Sequence, residues 1–344
     1  MARPSPAFHG FIGQREIVAQ VAPLVAAAIH RGEMFPTTLV DGSTGLGKTQ
    51  LAYSIACLFR SKLYRLVAHK GVAALEWGRF VVQAQRGDVL YVDEAHALRP
   101  DVQEWIYRYI DEKHVPKVVC DEQSGRERID GETTALECHM FFATDQPSKL
   151  LPALKSRIKL HLRFQDYSDR EMADIIRQRA SEKSIVLNGH AISLLVRASR
   201  GIPRRAGHQL DLLKLHYGTE PPEEFGKSDV RAFLEVHGID ENGFDRTDRR
   251  YLALLLERAN LETPLRVVAA HLGLEASSIH RDVEPWLIKS GYLENSKGGG
   301  RILTPNGIAL ARQLAPEGET SDGTEDREGE GEETERDSNW AAVD

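Results

Sequence analysis

One octapeptide narrows the fold more than any other part of the chain. Gly42-Ser43-Thr44-Gly45-Leu46-Gly47-Lys48-Thr49 fits G-x-x-x-x-G-K-[ST] at every fixed position. Its glycines let the backbone curl so that N–H groups point inward around phosphate oxygens. A helix starting near Lys48 would add the positive end of its dipole, with Lys48 on the β/γ-phosphates and Thr49 on Mg²⁺. Such a loop belongs between a buried strand and a helix. The flanks comply: Thr37-Thr38-Leu39-Val40-Asp41 is a β-branched run, and 49–59 places Leu51, Ile55, Ala56 and Phe59 at helical spacing.

Asp88-Val89-Leu90-Tyr91-Val92-Asp93 is a second candidate strand, followed by an amphipathic helix over about 101–111 with Val102, Trp105, Ile106 and Ile110 on one face. His139-Met140-Phe141-Phe142-Ala143-Thr144 is a third apolar strand. Strands separated by helices imply an α/β fold with a parallel sheet covered on both faces. Asp93-Glu94 ends the second strand. A buried acid needs a partner, and a Mg²⁺ on Thr49 would supply one. Asp93 would then hold the metal and Glu94 would polarise the attacking water, which is the arrangement of NTP hydrolysis. Asp93-Glu94-Ala95-His96 also spells the DEAH string of one helicase class. That class needs a second RecA-like domain, and the remaining chain reads as helical instead.

After Phe164 the pattern changes. Ser168-Asp169-Arg170-Glu171 opens a helix with a capping box, and further helical segments follow over 189–199, 203–216 and 228–237. The spacing sets domain boundaries near 165, 240 and 315: a nucleotide-binding domain over 1–165, a helical lid over 166–240, a third domain over 241–314 and a tail over 315–344. The tail holds twelve acidic residues and two arginines and is expected to be disordered. Its net charge of −10 accounts for more than the whole chain's −7, leaving about +3 for residues 1–314, a balance compatible with a nucleic-acid partner. Three cysteines without a C-x-x-C pair argue against a disulfide framework or zinc site. No apolar run approaches the ~20 residues that span a bilayer and no secretory signal is evident, so a cytoplasmic, membrane-free protein is expected.

Several of these matches converge on one family. Over residues 8 to 312 the sequence resembles the AAA+ class and, within it, the RuvB family of Holliday-junction branch migration motors. Phe11-Ile12-Gly13-Gln14 is similar to the motif that the family places beside the adenine. Gly45-Leu46-Gly47-Lys48-Thr49 and 87–96 are close to its two nucleotide motifs. The resemblance implies ATP and Mg²⁺ as cofactors. It assigns Gly42, Gln50, Tyr167 and Pro203 to the nucleotide pocket with Phe11 and Ile12, Thr144 to sensor 1, and Arg204 to sensor 2, where it touches the γ-phosphate of its own subunit. Pro152-Ala153-Leu154-Lys155-Ser156-Arg157 is similar to the arginine-finger segment. Arg157 would act in a neighbouring subunit, worth ~10³–10⁵ in rate, and a finger in trans implies a ring, by resemblance a homo-hexamer.

The third domain reads as a helix over 265–272, a turn, a helix over 277–290 and two short strands around Gly298-Gly299-Gly300-Arg301. This is a helix-turn-helix with a β-wing, and it resembles the family's C-terminal winged helix. Lys297 and Arg301 would meet phosphates of duplex or branched DNA, with His280 and Arg281 as further candidates. Departures from the family pattern include Ser43-Thr44 in the loop, Lys155 in place of an arginine, and Asp145-Gln146 after Thr144. A RuvA-like partner would dock on the hairpin over 113–134. Here its middle, 121–128, is polar, leaving Val118 and Val119 as the best apolar anchors. The expected activity is that of an ATP hydrolase driving DNA translocation. The alternative is an ATP-switched DNA-binding or loading factor that remodels without translocating.

Overall fold

The computed structural model describes residues 8 to 314 except 9, 121–126, 219 and 260. The acidic tail and the middle of the polar hairpin, on which sequence expectations were placed, lie outside the described residues. The chain divides into two compact units, residues 1–246 and 247–344.

In the first unit, the elements run α1 (Arg15–Arg31), β1 (Thr38–Asp41), α2 (Lys48–Phe59), β2 (Leu63–Val67), α3 (Ala74–Val81), β3 (Val89–Asp93), α4 (Pro100–Glu112), β4 (His114–Cys120), β5 (Glu127–Ala135), β6 (His139–Thr144), α5 (Pro152–Lys155) and β7 (Leu160–Arg163). Four helices follow: α6 (Asp169–Glu182), α7 (Gly189–Ser199), α8 (Pro203–Tyr217) and α9 (Lys227–Val236). A five-stranded sheet with order β2-β3-β6-β1-β7 is parallel throughout. The near-continuous apolar strands serve two cores by alternation. Val40, Tyr91, Phe141 and Ala143 pack with Leu51 and Ile55 on one face. Leu39, Leu90, Val92 and Phe142 pack with Trp77, Val102 and Ile106 on the other.

The strand order positions the chemistry. In open parallel sheets, ligands bind beyond the carboxyl ends of the strands. β6 lies between β1 and β3, with Asp41 opposite Thr144 and Val92 opposite Phe142. Thr144 therefore ends between the loop that follows β1 and the acidic pair that follows β3.

The expected boundary at 165 falls between β7 and α6, inside the first unit, and the core on the β1 side runs on into Met172, Leu195 and Phe233 of the helices that follow. α1 has no counterpart in the sequence reading because Pro23 interrupts its apolar run. Ile17, Val21, Val25 and Ala28 are nonetheless buried along one face. β4 and β5 pair as an antiparallel hairpin with an irregularity between Pro116 and Val118, and Val118 and Val119 are half-buried.

The second unit comprises α10 (Arg246–Glu257, its first residue at the division), α11 (Leu265–Leu272), α12 (Ala276–Ser278), a π-helical turn (Ile279–Val283), α13 (Glu284–Lys289), the antiparallel pair β8 (Leu293–Asn295) and β9 (Arg301–Leu303), and α14 (Pro305–Leu314). The single helix expected over 277–290 is thus broken by a π-turn. Pro285 has no N–H to give the carbonyl one turn back, and a wider turn absorbs that defect. Among the described residues no helix is long and apolar enough to cross a membrane.

Candidate active site

The loop between β1 and α2 begins at Gly42, whose N–H donates to the Thr144 carbonyl at 3.2 Å, tying it to the end of β6. Gly45 has φ +89°, and a Cβ there would lie 2.8 Å from Ile202 Cγ2 and 3.0 Å from Arg204 Cβ. The glycine is thus required both by its conformation and by the approach of the α8 N-terminus. The Arg204 N–H donates to the Gly45 carbonyl at 3.3 Å, and the Tyr167 hydroxyl donates to the Leu46 carbonyl at 2.7 Å. The helical half of the unit therefore holds the loop from above.

Lys48 is buried, and its ammonium donates to the carbonyls of Gly42 at 2.5 Å and Ser43 at 3.0 Å. Burial pushes its pKa below the ordinary lysine value, against the pull of Glu94, Asp93, Asp145 and Asp41. The Thr49 hydroxyl lies 3.0 Å from the Tyr91 hydroxyl, and burial raises the pKa of that phenol. Loop, acids and helices α6 and α8 meet in a cavity of about 450 Å³. Among the expected residues, Phe11, Ile12, Gly45, Leu46, Gly47, Lys48, Thr49, Gln50, Asp93, Glu94, Tyr167, Pro203 and Arg204 line it. Gly42, Thr144 and Arg157 do not.

Asp93, for which a Mg²⁺ is the partner expected from the sequence, also has one within the chain. Arg65 on β2 donates to Asp93 Oδ2 at 2.5 Å, and a lone arginine within a strand was the available signal. Glu94 stands in the left-handed region at φ +52°, which turns its carboxylate toward a second cluster. His96 Nδ1 lies 3.1 Å from Thr144 Oγ1, 3.5 Å from Glu94 Oε2 and 3.4 Å from Asp145 Oδ1. Gln146 Nε2 is 3.4 Å from the other ring nitrogen. In the sequence His96 stands out only within the DEAH string and the 87–96 motif, and Asp145-Gln146 only as departures from the family pattern.

Arg157 is held outside the cavity by other residues of the same chain, with Nε donating to Asp111 Oδ2 at 2.7 Å and the guanidinium 4.7 Å from the Tyr107 ring centre. In the second unit, Arg301 is not the free cation expected. Its Nε and Nη2 donate to the two Glu284 oxygens at 2.7 and 3.1 Å, and both side chains are largely buried. Tyr251 donates to Glu284 Oε1 at 2.9 Å, and His280 Nδ1 lies 3.0 Å from Oε2. Burial alone would raise the Glu284 pKa, but the hydrogen bonds from Arg301, His280 and Tyr251 hold it below the ordinary carboxylate value. Arg281 contacts the neighbouring Asp282 and is exposed, as is Lys297 at the tip between β8 and β9.

Comparison with known proteins gives the family. The family model described as the Holliday junction DNA helicase RuvB P-loop domain matches residues 2–164, and that of the RuvB C-terminal winged helix domain matches residues 241–311. A Thermotoga maritima protein named Holliday junction branch migration complex subunit RuvB is 28% identical over 309 residues, 89% of this chain and 91% of the relative. Its namesake from Sulfurimonas denitrificans is 28% identical over 317 residues, 91% and 92% of the two chains. The solved structure of the Thermotoga maritima RuvB Holliday junction branch migration motor aligns with a TM-score of 0.75 at 26% identity, covering 90% of this chain and 98% of that one. With both family domains matched in order, about two thirds of the sequence between them, the chain belongs to the RuvB family of AAA+ P-loop ATPases.

Proposed function

We propose that this chain is an ATP-driven motor that moves duplex DNA at branched junctions, working as a ring of identical subunits. The observation that carries the reading is the convergence of Lys48, Thr49, Asp93, Glu94 and Arg204 on one cavity in a chain that also carries the family's winged helix. The residues fit ATP and Mg²⁺: Gly45 keeps the loop open where a Cβ would clash, Lys48 is a buried cation within the loop, and Thr49 and Asp93 offer the hard oxygens that Mg²⁺ takes. When bound, Mg²⁺ neutralises charge on the phosphates.

The chain's own residues divide the remaining work. Gly45, Leu46 and Gly47 present backbone N–H groups to phosphate oxygens, and Lys48 anchors the β/γ end. Phe11, Ile12, Gln50, Tyr167 and Pro203 shape the pocket around the base and sugar. Glu94 accepts a proton from the attacking water, and Thr144 fixes Glu94 and that water through His96. Arg204 meets the γ-phosphate of its own subunit, and Arg157 meets that of a neighbour. Lys297 and Arg281 contact DNA phosphates, and a RuvA-like protein is the partner to test on the β4–β5 hairpin. The domain division at 165, 240 and 315 belongs to the same proposal.

The test is a DNA-stimulated ATPase and junction-dissociation assay on the purified chain. Stimulated turnover with junction dissociation is expected. Glu94→Gln should retain ATP binding while losing roughly 10²-fold or more in turnover, the scale of a missing general base. ATP-dependent DNA binding without junction movement would favour the loading-factor alternative. Near-normal turnover in Glu94→Gln would place the base elsewhere.

A further inference from the structure

α4 carries a stripe of three polar side chains turned toward the segment that ends in Arg157. Gln103, Tyr107 and Asp111 stand at i, i+4 and i+8 and so line one side of the helix. Gln103 is 2% exposed. Its Nε2 donates to the Leu98 carbonyl at 3.0 Å, and its Oε1 accepts from the Leu151 N–H at 2.8 Å. Leu98 closes the turn behind Glu94 and His96, while Leu151 is the N-cap of α5. One buried amide therefore fastens the turn after Glu94 to the start of the segment that carries Arg157.

The other end of the segment is fastened by the same helix. Asp111 accepts from Arg157 Nε, and the Tyr107 ring lies under the guanidinium. The Ala153 carbonyl accepts from Arg157 Nη1 at 2.8 Å. Among the described residues Nη2 has no hydrogen-bond partner, and the side chain remains 32% exposed. The guanidinium is thus fixed by its stem and one face, with one nitrogen left for an acceptor from outside. An arginine already held loses less rotamer freedom when it meets a phosphate than one that waves in solvent.

We propose that Tyr107 and Asp111 are positioning residues for Arg157, setting its guanidinium for the nucleotide site of a neighbouring copy, with Gln103 fixing the near end of the same segment. The proposal rests on Arg157 acting as a finger in trans, and the test separates the two. Asp111→Ala and Tyr107→Leu, in the full chain with duplex DNA, should lose roughly tenfold or more in kcat, as a misplaced group can. ATP affinity should stay within about twofold, the split expected when only transition-state contacts are lost. Asp111→Asn, which keeps an acceptor oxygen, should recover part of the loss.

Complementation provides the readout that a folding defect would not move. Mixed with Lys48→Ala, which has no working site but an intact Arg157 mount, Asp111→Ala should hydrolyse ATP faster than the two measured apart. Full activity in both Asp111→Ala and Tyr107→Leu beside an inactive Arg157→Ala overturns the positioning role alone. Full activity in Arg157→Ala overturns the finger itself. A folded Asp111→Ala that is slow yet gains nothing from mixing shows that Asp111 serves its own site, which also overturns the proposal. Should Asp111→Ala fail to fold, the same mixing experiment with Tyr107→Leu decides.

Discussion

Arg301 shows how one contact changes a residue's reading. A cation beside three glycines suggested a phosphate contact, but its guanidinium lies on Glu284, which is itself 1% exposed and bonded to Tyr251 and His280. Breaking a buried pair leaves an uncompensated charge, so Arg301→Ala should destabilise the second unit by about 3–5 kcal/mol, read by denaturant unfolding. Unchanged stability with lost duplex affinity would return Arg301 to the DNA surface. His139 makes a second prediction at this scale. It is buried, accepts the Phe35 N–H at 2.8 Å through Nδ1 and lies against Phe59, and burial lowers its pKa to about 4. The unfolded chain binds this proton at the ordinary value of 6.5, so stability is whole above that pH and falls as pH drops toward 4. His139→Gln should be less stable at neutral pH but should lose less on acidification through this window. An identical acid profile in unfolding melts would remove His139 as the source.

At the scale of elements, the P-loop strand and helix were legible because their burial pattern is written locally. β1, α2, β3 and β6 stand where apolar runs, helical spacing and the acidic strand end put them. β2 was less visible, since it is an edge strand whose residues alternate only partly in burial and whose Arg65 finds its partner on another strand. The wing is two short strands, as the sequence leads one to expect, but one of its two cations is tied inward. β8 and β9 bring Arg301 back onto α13 and leave Lys297 at the exposed tip. Lys297→Ala should therefore weaken duplex binding about equally across sequences and reduce the salt slope by about one. Affinity measured at several salt concentrations checks this, and an unchanged slope would move the DNA contact off the wing.

For the molecule as a whole, the nucleotide cavity lies between the P-loop and helices α6 and α8, so binding there joins both halves of the first unit. Ligand present at about a hundred times its Kd adds roughly 2.7 kcal/mol to the folded state. ATP with Mg²⁺ should raise the melting temperature of the wild-type chain but not of Lys48→Ala. Assembly makes a separate prediction, because Arg157 lies outside its own cavity. Sedimentation with ATP and duplex DNA should show a larger species than the monomer, and strictly monomeric behaviour at high concentration would sink the ring.

The loop glycines, Lys48, Thr49 and the acid pair at a strand end are legible in the sequence because each is fixed by short-range geometry: a tight turn, a helix start, an apolar strand. The α/β fold and the winged helix follow from the same local periodicities. Tertiary structure alone decided which charges are spent inside the protein. Arg65 meets Asp93, His96 gathers Thr144 and Asp145, Asp111 mounts Arg157, and Glu284 takes Arg301. These partners are distant in the chain or on different elements, and an ion pair or hydrogen bond carries no periodic trace in sequence. Only strand order and helix packing bring such groups within reach, so only the folded chain shows which cations remain free to meet phosphate.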